Sequence, residues 1–511
     1  MLLAGVILGP LAAALLLALW PKLAPEPARL LTLLITVATF VASLPLLATD
    51  AAGGMTRELD VPWIAALGIR FHLGVDGISA PLVVLTTLLM PLVVLASYGH
   101  VHDRVRQYCV LLLAMEAGMV GVFAALDLVL FYVFFEMSLI PLYLLVGVYG
   151  GARRTYAALK FVLFTVAGSL LLLLGILYVM HATGSADFAA LRRATLSVRE
   201  QAWLFAAFAA AFCVKVPLVP FHTWLPDAHV EAPTGGSVIL AGVTLKMGTY
   251  GLLRFCLPLF PAASIEHAPL LLALAVVGIL YGALLAWAQS DLKKIIAYSS
   301  VSHLGFVVLG LFSLQSSAAT GATLQMINHG LSTGALFLLI GMIYERAHTR
   351  QLADFGGLAR TMPRFAVCLV FATLSSIGLP GLNGFVGEFL ILIGTWRDHP
   401  LAASLASLGV LLGAIYMLGL VKGLLFGPVG HPKTATWRDL TLREMATLAP
   451  LFALMIAIGF APQPLLSRIE PAVERMLERP RLALEASLAP TAMPSVDEGA
   501  PPHDRAPGER R

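Results

Sequence analysis

Apolar and polar positions fall in long alternating blocks along this chain. Almost wholly apolar runs recur from Met1 to about residue 464, separated by short polar stretches. Each is about 20 residues long, the length an α-helix needs to cross the hydrocarbon core of a bilayer. Fourteen spans can be placed, at 2–20, 28–48, 78–98, 108–126, 127–149, 156–181, 202–221, 235–258, 268–288, 294–314, 320–344, 365–396, 401–427 and 444–464. The fourth and fifth run together at Asp127, which reads as a turn, and the twelfth is too long for one simple span and is interrupted at Pro380-Gly381. Strand-like alternation is absent, which excludes a membrane β-barrel. The expected fold is therefore an all-α polytopic membrane protein. From Leu465 the chain becomes rich in Pro, Ala, Glu and Arg and is expected to end disordered.

Composition agrees with the pattern. The chain has 511 residues, 59% hydrophobic and only 12% charged, with a mean hydropathy of +0.87. Its net charge of +4 is spread over short loops, leaving no basic face for nucleic acid. The block from Met1 to Trp20 lacks a basic start and a second apolar run follows closely, so it reads as a membrane helix and not a cleaved signal. Cys109, Cys213, Cys256 and Cys368 are far apart in or beside apolar runs, which points to neither a disulfide framework nor a metal site. Loops after odd-numbered spans carry fifteen Lys and Arg residues, from Lys22 to Arg443. Loops after even-numbered spans carry six: Arg57, Arg70, Arg192, Arg193, Arg199 and Arg397. The positive-inside rule then makes the odd loops cytoplasmic and puts both termini on the outer, periplasmic face.

Ionisable residues inside apolar runs are costly and mark functional candidates. The seventh span carries Lys215, with Pro217 and Pro220 just beyond it; the eighth carries Lys246. Proline interrupts the helix ladder, and an interrupted helix at membrane depth is tolerated where it lines a wet cavity enclosed by protein. In the fifth span Glu136 lies among Phe131, Tyr132, Phe134 and Phe135. A carboxylate there keeps its charge only with a cation close by. Lys215 is the natural partner, either in a pair that holds and releases a proton or in a static pair that fixes packing. His303 in the tenth span and His329 in the eleventh read as proton relays or as packing histidines. The twelfth span adds Glu388 beyond Pro380, Gly381, Gly384 and Gly387; Glu116 in the fourth is a secondary candidate. His222, Asp227, His229 and Glu231 fit no zinc spacing and read as a polar access vestibule at the outer mouth beyond the break.

Two interrupted helices in corresponding positions point to inverted repeats, here spans four to eight and nine to thirteen. The register is imperfect, because Lys215 precedes its first proline by two positions and Glu388 follows Pro380 by eight. The organisation becomes a three-helix segment (1–107), two five-helix repeats (108–258 and 268–427), a C-terminal helix (428–465) and a polar tail (466–511).

The segments VKVPLVPFHTWLPDAHVEAPT, SDLKKIIAYSSVSHLGF, MINHGLSTGALFLLIG and LPGLNGFVGEF together resemble the antiporter-like subunits of respiratory complex I, and subunit M (chain 4) most of all. The resemblance covers residues 1 to about 465. It implies fourteen helices in two inverted five-helix repeats, with helices seven and twelve broken. It further implies a proton-pumping pair at Glu136 and Lys215, a connecting Lys246, relay histidines at His303 and His329 and a terminal site at Glu388. No cofactor or metal is expected in this chain. NADH, FMN, iron–sulfur clusters and quinone would belong to partner subunits of an NADH:quinone oxidoreductase in a bacterial inner membrane, and two sister antiporter-like subunits would be neighbours. The sisters, L and N, usually carry lysine where Glu388 stands, and the tail is too short for the lateral helix of L. Two rivals share some of these features. One is a subunit of a multisubunit cation/proton antiporter or membrane hydrogenase. The other is a scaffold without an ion path, in which Lys215 and Lys246 could be neutralised without loss.

Overall fold

A computed structural model of the chain describes residues 1–428 and 437–488. Among the described residues, twelve helices are long and apolar enough to cross a membrane: Leu2–Leu19, Pro25–Leu47, Ser79–Ser97, Val105–Ala124, Leu128–Tyr149, Arg154–Thr183, Thr234–Leu259, Pro261–Trp287, Leu292–Phe312, Ser316–Ala347, Pro400–Leu425 and Leu442–Phe460. The two expected spans missing from that set are the interrupted ones. In one, helix Val198–Lys215 stops at Lys215 and a short helix, Trp224–Glu231, follows. In the other, Pro363–Ser376 and Asn383–Trp396 flank a non-helical turn.

Local chemistry sets the helix starts. Asp127, expected as a turn, caps Leu128–Met137 by accepting from Val129 N at 2.9 Å and Leu130 N at 3.1 Å. Asp291 caps Leu292–Phe312 in the same way. Ser197 with Glu200 and Thr441 with Glu444 form reciprocal capping boxes. Helix Thr234–Leu259 is wholly buried, Ser316–Ala347 is buried from Ala318 to Ile343 and Leu292–Phe312 nearly throughout, whereas Arg154–Thr183 exposes Leu163, Leu170 and Leu174 on its outer flank. Close approach in this centre depends on small residues, as expected where lipid removes the hydrophobic drive between helices. A Cβ on Gly248 would lie 2.7 Å from Phe212 O and 2.9 Å from Val216 N, so glycine lets the Lys246 helix pack against the end of Val198–Lys215.

Two features correct the sequence reading. The first is an antiparallel hairpin, Thr56–Ile64 with Ile69–Val75, so the chain is not purely α. Its apolar alternation (Leu59, Val61, Trp63; Ile69, Phe71, Leu73, Val75) is short beside the spans, and only Ile69, Leu73 and Val75 of these are buried. The second is helix Gln463–Leu488, in a tail expected to be disordered. Ile469, Ala472, Val473, Met476 and Leu477 recur at 3.6-residue spacing and are all buried. The charged residues between them make the segment read as polar. This helix reaches Leu47 O through Arg468, Glu478 is 3.4 Å from Arg192, and Arg481 reaches Leu314 O. It thus lies with the hairpin on the face made by the even-numbered loops. The tail beyond 488 lies outside the described residues.

Candidate functional site

Lys246 lies at the centre of the molecule, fully buried. Its helix is α over Leu245–Gly251 but π-helical on either side, at Leu240–Thr244 and Leu252–Cys256. Such bulges disturb the regular carbonyl ladder and are frequent at functional sites. Here the Nζ donates to Ala241 O and lies 2.7 Å from His329 Nδ1. A charged lysine has donors only, so His329 then accepts at Nδ1 and carries its proton on Nε2.

The row continues from His329. Its ring centroid is 5.8 Å from that of His303, and His303 Nδ1 lies 2.8 Å from Glu388 Oε1. Gln325 Nε2 donates to the same oxygen at 3.0 Å. Asn328 Nδ2 donates to Gln325 Oε1 at 3.2 Å and to Asn383 O at 2.7 Å. Ser375 donates to Asn383 Oδ1 at 2.6 Å and is 2.7 Å from Ser332 Oγ. These polar side chains border a cavity of about 10 Å³, near the minimum that holds one water. The break beside Glu388 needs glycine: Gly378 has φ +75°, and a Cβ there would sit 3.3 Å from Glu388 Oε2. Lys246, His329, His303 and Glu388 thus form one near-continuous titratable row.

The pair expected at Glu136 and Lys215 is not in contact. Lys215 is buried, with its Nζ 5.0 Å from the Phe135 ring centroid and 5.7 Å from that of Phe161. Glu136 is half-buried and close enough to act on Lys215 through space. Among the described residues no ion pair within 4.0 Å joins them, and no hydrogen bond links Lys215 to the central row. Phe135, next in sequence to Glu136, presents its ring to the Lys215 Nζ at 5.0 Å. Glu116 is fully buried, and neither of its oxygens has a partner. The expected vestibule is also different. Asp227 pairs with Lys160 at 2.7 Å, Glu231 borders a cavity, and His222 and His229 are buried. Among the described residues no cluster of His, Cys, Asp and Glu could hold a metal ion.

Comparison with known proteins bears on what this row belongs to. A family model described as NADH:quinone oxidoreductase/Mrp antiporter, TM, matches residues 125–415, and one described as NADH-ubiquinone oxidoreductase chain 4, amino terminus, matches 55–120. NADH-quinone oxidoreductase subunit M of Rhodobacter capsulatus is 45% identical over 488 residues, covering 92% of this chain and 95% of the relative. The chain belongs to the subunit M family of NADH-quinone oxidoreductase. Chain 4 of the NADH-ubiquinone oxidoreductase of Marchantia polymorpha is 42% identical over 93% of this chain and 97% of its own length. A chain of respiratory complex I from Thermus thermophilus superposes with TM-score 0.86 at 34% identity, over 94% of this chain and 99% of its own. The Mrp complex from Dietzia shares the fold alone, with TM-score 0.84 at 22% identity over 95% and 99%.

Within this subunit M chain several site residues escape the sequence reading. Gln325 lies four positions before His329, on the same helix face, and that spacing is a usable signal. Asn383 and Ser375 carry none, because they meet only across the break. Asp76 and Arg254 form a buried ion pair at 2.6 Å, although 178 positions separate them.

Proposed function

We propose that this chain carries protons through the membrane along the row Lys246–His329–His303–Glu388, with Glu136 acting on Lys215 beside it. It is a proton-translocating subunit of NADH-quinone oxidoreductase and performs no redox chemistry itself. The observation that supports the row is the contact series from Lys246 Nζ to Glu388 Oε1, buried throughout. Lysine, histidine and carboxylate side chains can each take and release a proton, and the row sets them in series, with hydrogen-bond distances at its two ends and histidine rings 5.8 Å apart between them. NADH, FMN, iron–sulfur clusters and quinone belong to partner subunits, and two sister antiporter-like subunits flank this chain in a bacterial inner membrane. The interrupted helices at Lys215 and near Glu388 complete fourteen crossings, arranged as inverted repeats over 108–258 and 268–427, between a three-helix segment (1–107) and a C-terminal helix (428–465). Both termini face the periplasm.

Lys246→Ala and Glu388→Ala, each checked for assembly by native gel, test the reading in inside-out membrane vesicles. NADH-driven proton uptake is expected to fall by about two orders of magnitude, the usual worth of a lost acid–base group. Wild-type uptake in assembled Glu388→Ala would end it.

A further inference from the structure

The small cavity beside the break at Glu388 is bordered by two buried polar atoms that have no hydrogen-bond partner among the described residues. Asn328, on Ser316–Ala347, is 1% exposed, and its Oδ1 is unsatisfied. His329, the next residue, is 3% exposed, and its Nε2 is unsatisfied too. Both line the cavity of about 10 Å³, together with His303. Buried polar atoms nearly always find a partner, and two of them on one cavity of water size mark a water site.

The hydrogens on these groups are fixed by one main-chain carbonyl. Asn383 O only accepts, so the atom facing it at 2.7 Å is the Asn328 Nδ2 donor, which leaves Oδ1 free as an acceptor. The same Nδ2 donates to Gln325 Oε1 at 3.2 Å, so Gln325 turns its own Nε2 to Glu388 Oε1, 3.0 Å away. In an ionised carboxylate that oxygen has no hydrogen to give and accepts a second one from His303 Nδ1 at 2.8 Å. His303 is then bare at Nε2. His329 accepts from Lys246 at Nδ1 and so carries its hydrogen on Nε2. The cavity is thus offered one donor, His329 Nε2–H, and two acceptors, Asn328 Oδ1 and His303 Nε2. A water molecule, with two hydrogens to donate and lone pairs to accept, matches that set. A bare cation does not, because the N–H repels it.

We propose that Asn328 is a positioning residue of the row, holding one water between His329 and His303, whose ring centroids are 5.8 Å apart. The proposal rests on the proton-carrying reading of that row. When Lys246 gives a proton to His329 Nδ1, the His329 Nε2–H bond breaks and its proton goes to the water. The water gives one of its own hydrogens to His303 Nε2, and the His303 Nδ1–H bond breaks as its proton passes to Glu388 Oε1. One proton has moved from Lys246 to Glu388, the water is restored, and each ring is left as its other tautomer. Asn328 itself gives and takes no proton. Its Oδ1 engages one water hydrogen, which leaves the other directed at His303.

Two measurements on the intact complex test this. A density map fine enough to show ordered water is expected to place one solvent peak within hydrogen-bond distance of Asn328 Oδ1, His329 Nε2 and His303 Nε2. No peak there, in a map that shows equally buried waters elsewhere, would overturn the proposal, as would a peak out of reach of Asn328. In inside-out vesicles, Asn328→Leu keeps the bulk of the side chain and removes the acceptor. It is expected to lower NADH-driven proton uptake by about tenfold, the upper worth of one hydrogen bond. The solvent deuterium isotope effect on uptake is expected to rise, because the step between the rings becomes slow. Wild-type uptake in assembled Asn328→Leu would overturn the role, and so would a loss with an unchanged isotope effect, which marks a packing defect at the break. If Asn328→Leu fails to assemble, the map decides. Normal uptake in Lys246→Ala would instead remove the row and leave the water site standing.

Discussion

Removing the carboxylate of Asp76 should be among the most damaging single changes outside the titratable row. Arg254 is fully buried and Asp76 nearly so. The guanidinium Nη2 donates to both Asp76 oxygens at 2.6 Å, Nε donates to Tyr250 Oη at 3.2 Å, and the Phe188 and Tyr250 rings lie within 5.9 Å of its carbon. Asp76 also accepts from Ile78 N and Ser79 N at 3.0 Å each, where helix Ser79–Ser97 begins. In Asp76→Ala the arginine keeps its charge and loses its counter-ion. Breaking a buried pair from one side costs about 3–5 kcal/mol, and losing a helix cap adds about 1 kcal/mol. Against a typical net stability of about 5–15 kcal/mol, most of the subunit should fail to assemble. Native gels of solubilised membranes and the thermal midpoint of NADH oxidation would measure this. The double variant Asp76→Leu/Arg254→Met, which buries no lone charge, should recover much of the loss. Asp76→Ala that assembles to wild-type levels with an unchanged midpoint would refute the electrostatic reasoning.

Three further outcomes are expected. Glu388→Lys should retain part of the proton uptake that Glu388→Ala loses, because lysine also titrates but opposes a field arranged for an anion; full loss in an assembled lysine variant would show that the carboxylate itself is required. On the hairpin, the hydrogen bond to Asp187, 2.5 Å away, outweighs burial and raises the His72 pKa above its ordinary value, with Asp60 and Glu58 adding to the effect. A raised folded-state value means the stabilisation is full below about pH 6.5 and is lost as pH rises through that folded value. Amide-exchange protection of residues 56–75 should therefore fall as pH rises above about 6.5, and Asp187→Asn should flatten the change. A topology reporter fused after Arg154 should read cytoplasmic and one near Arg511 external; the same face for both would break the fourteen-crossing arrangement.

The membrane spans are legible in the sequence because each is a local property: about 20 apolar residues in a row satisfy the bilayer whatever else the chain does. Lone charges within such runs are conspicuous for the same reason, which is why Lys215, Lys246, His303, His329 and Glu388 stand out from the sequence alone. Proline and glycine mark both interruptions, since they act on the backbone where they stand. The hairpin escapes a sequence reading because its alternation is brief. The Gln463–Leu488 helix escapes it because its apolar stripe shows only once a helix phase is imposed on a charged segment. Which titratable groups meet is decided by the tertiary structure. His329 reaches Lys246 across 83 positions and Glu388 reaches His303 across 85, whereas Glu136, 79 positions before Lys215, does not touch it. Those distances depend on how closely one helix lies against another, as at Gly248, and on which side chain faces which, as the Phe135 ring faces Lys215. Neither is a property of any one span, so the apolar pattern that sends each helix through the membrane carries no record of its neighbours.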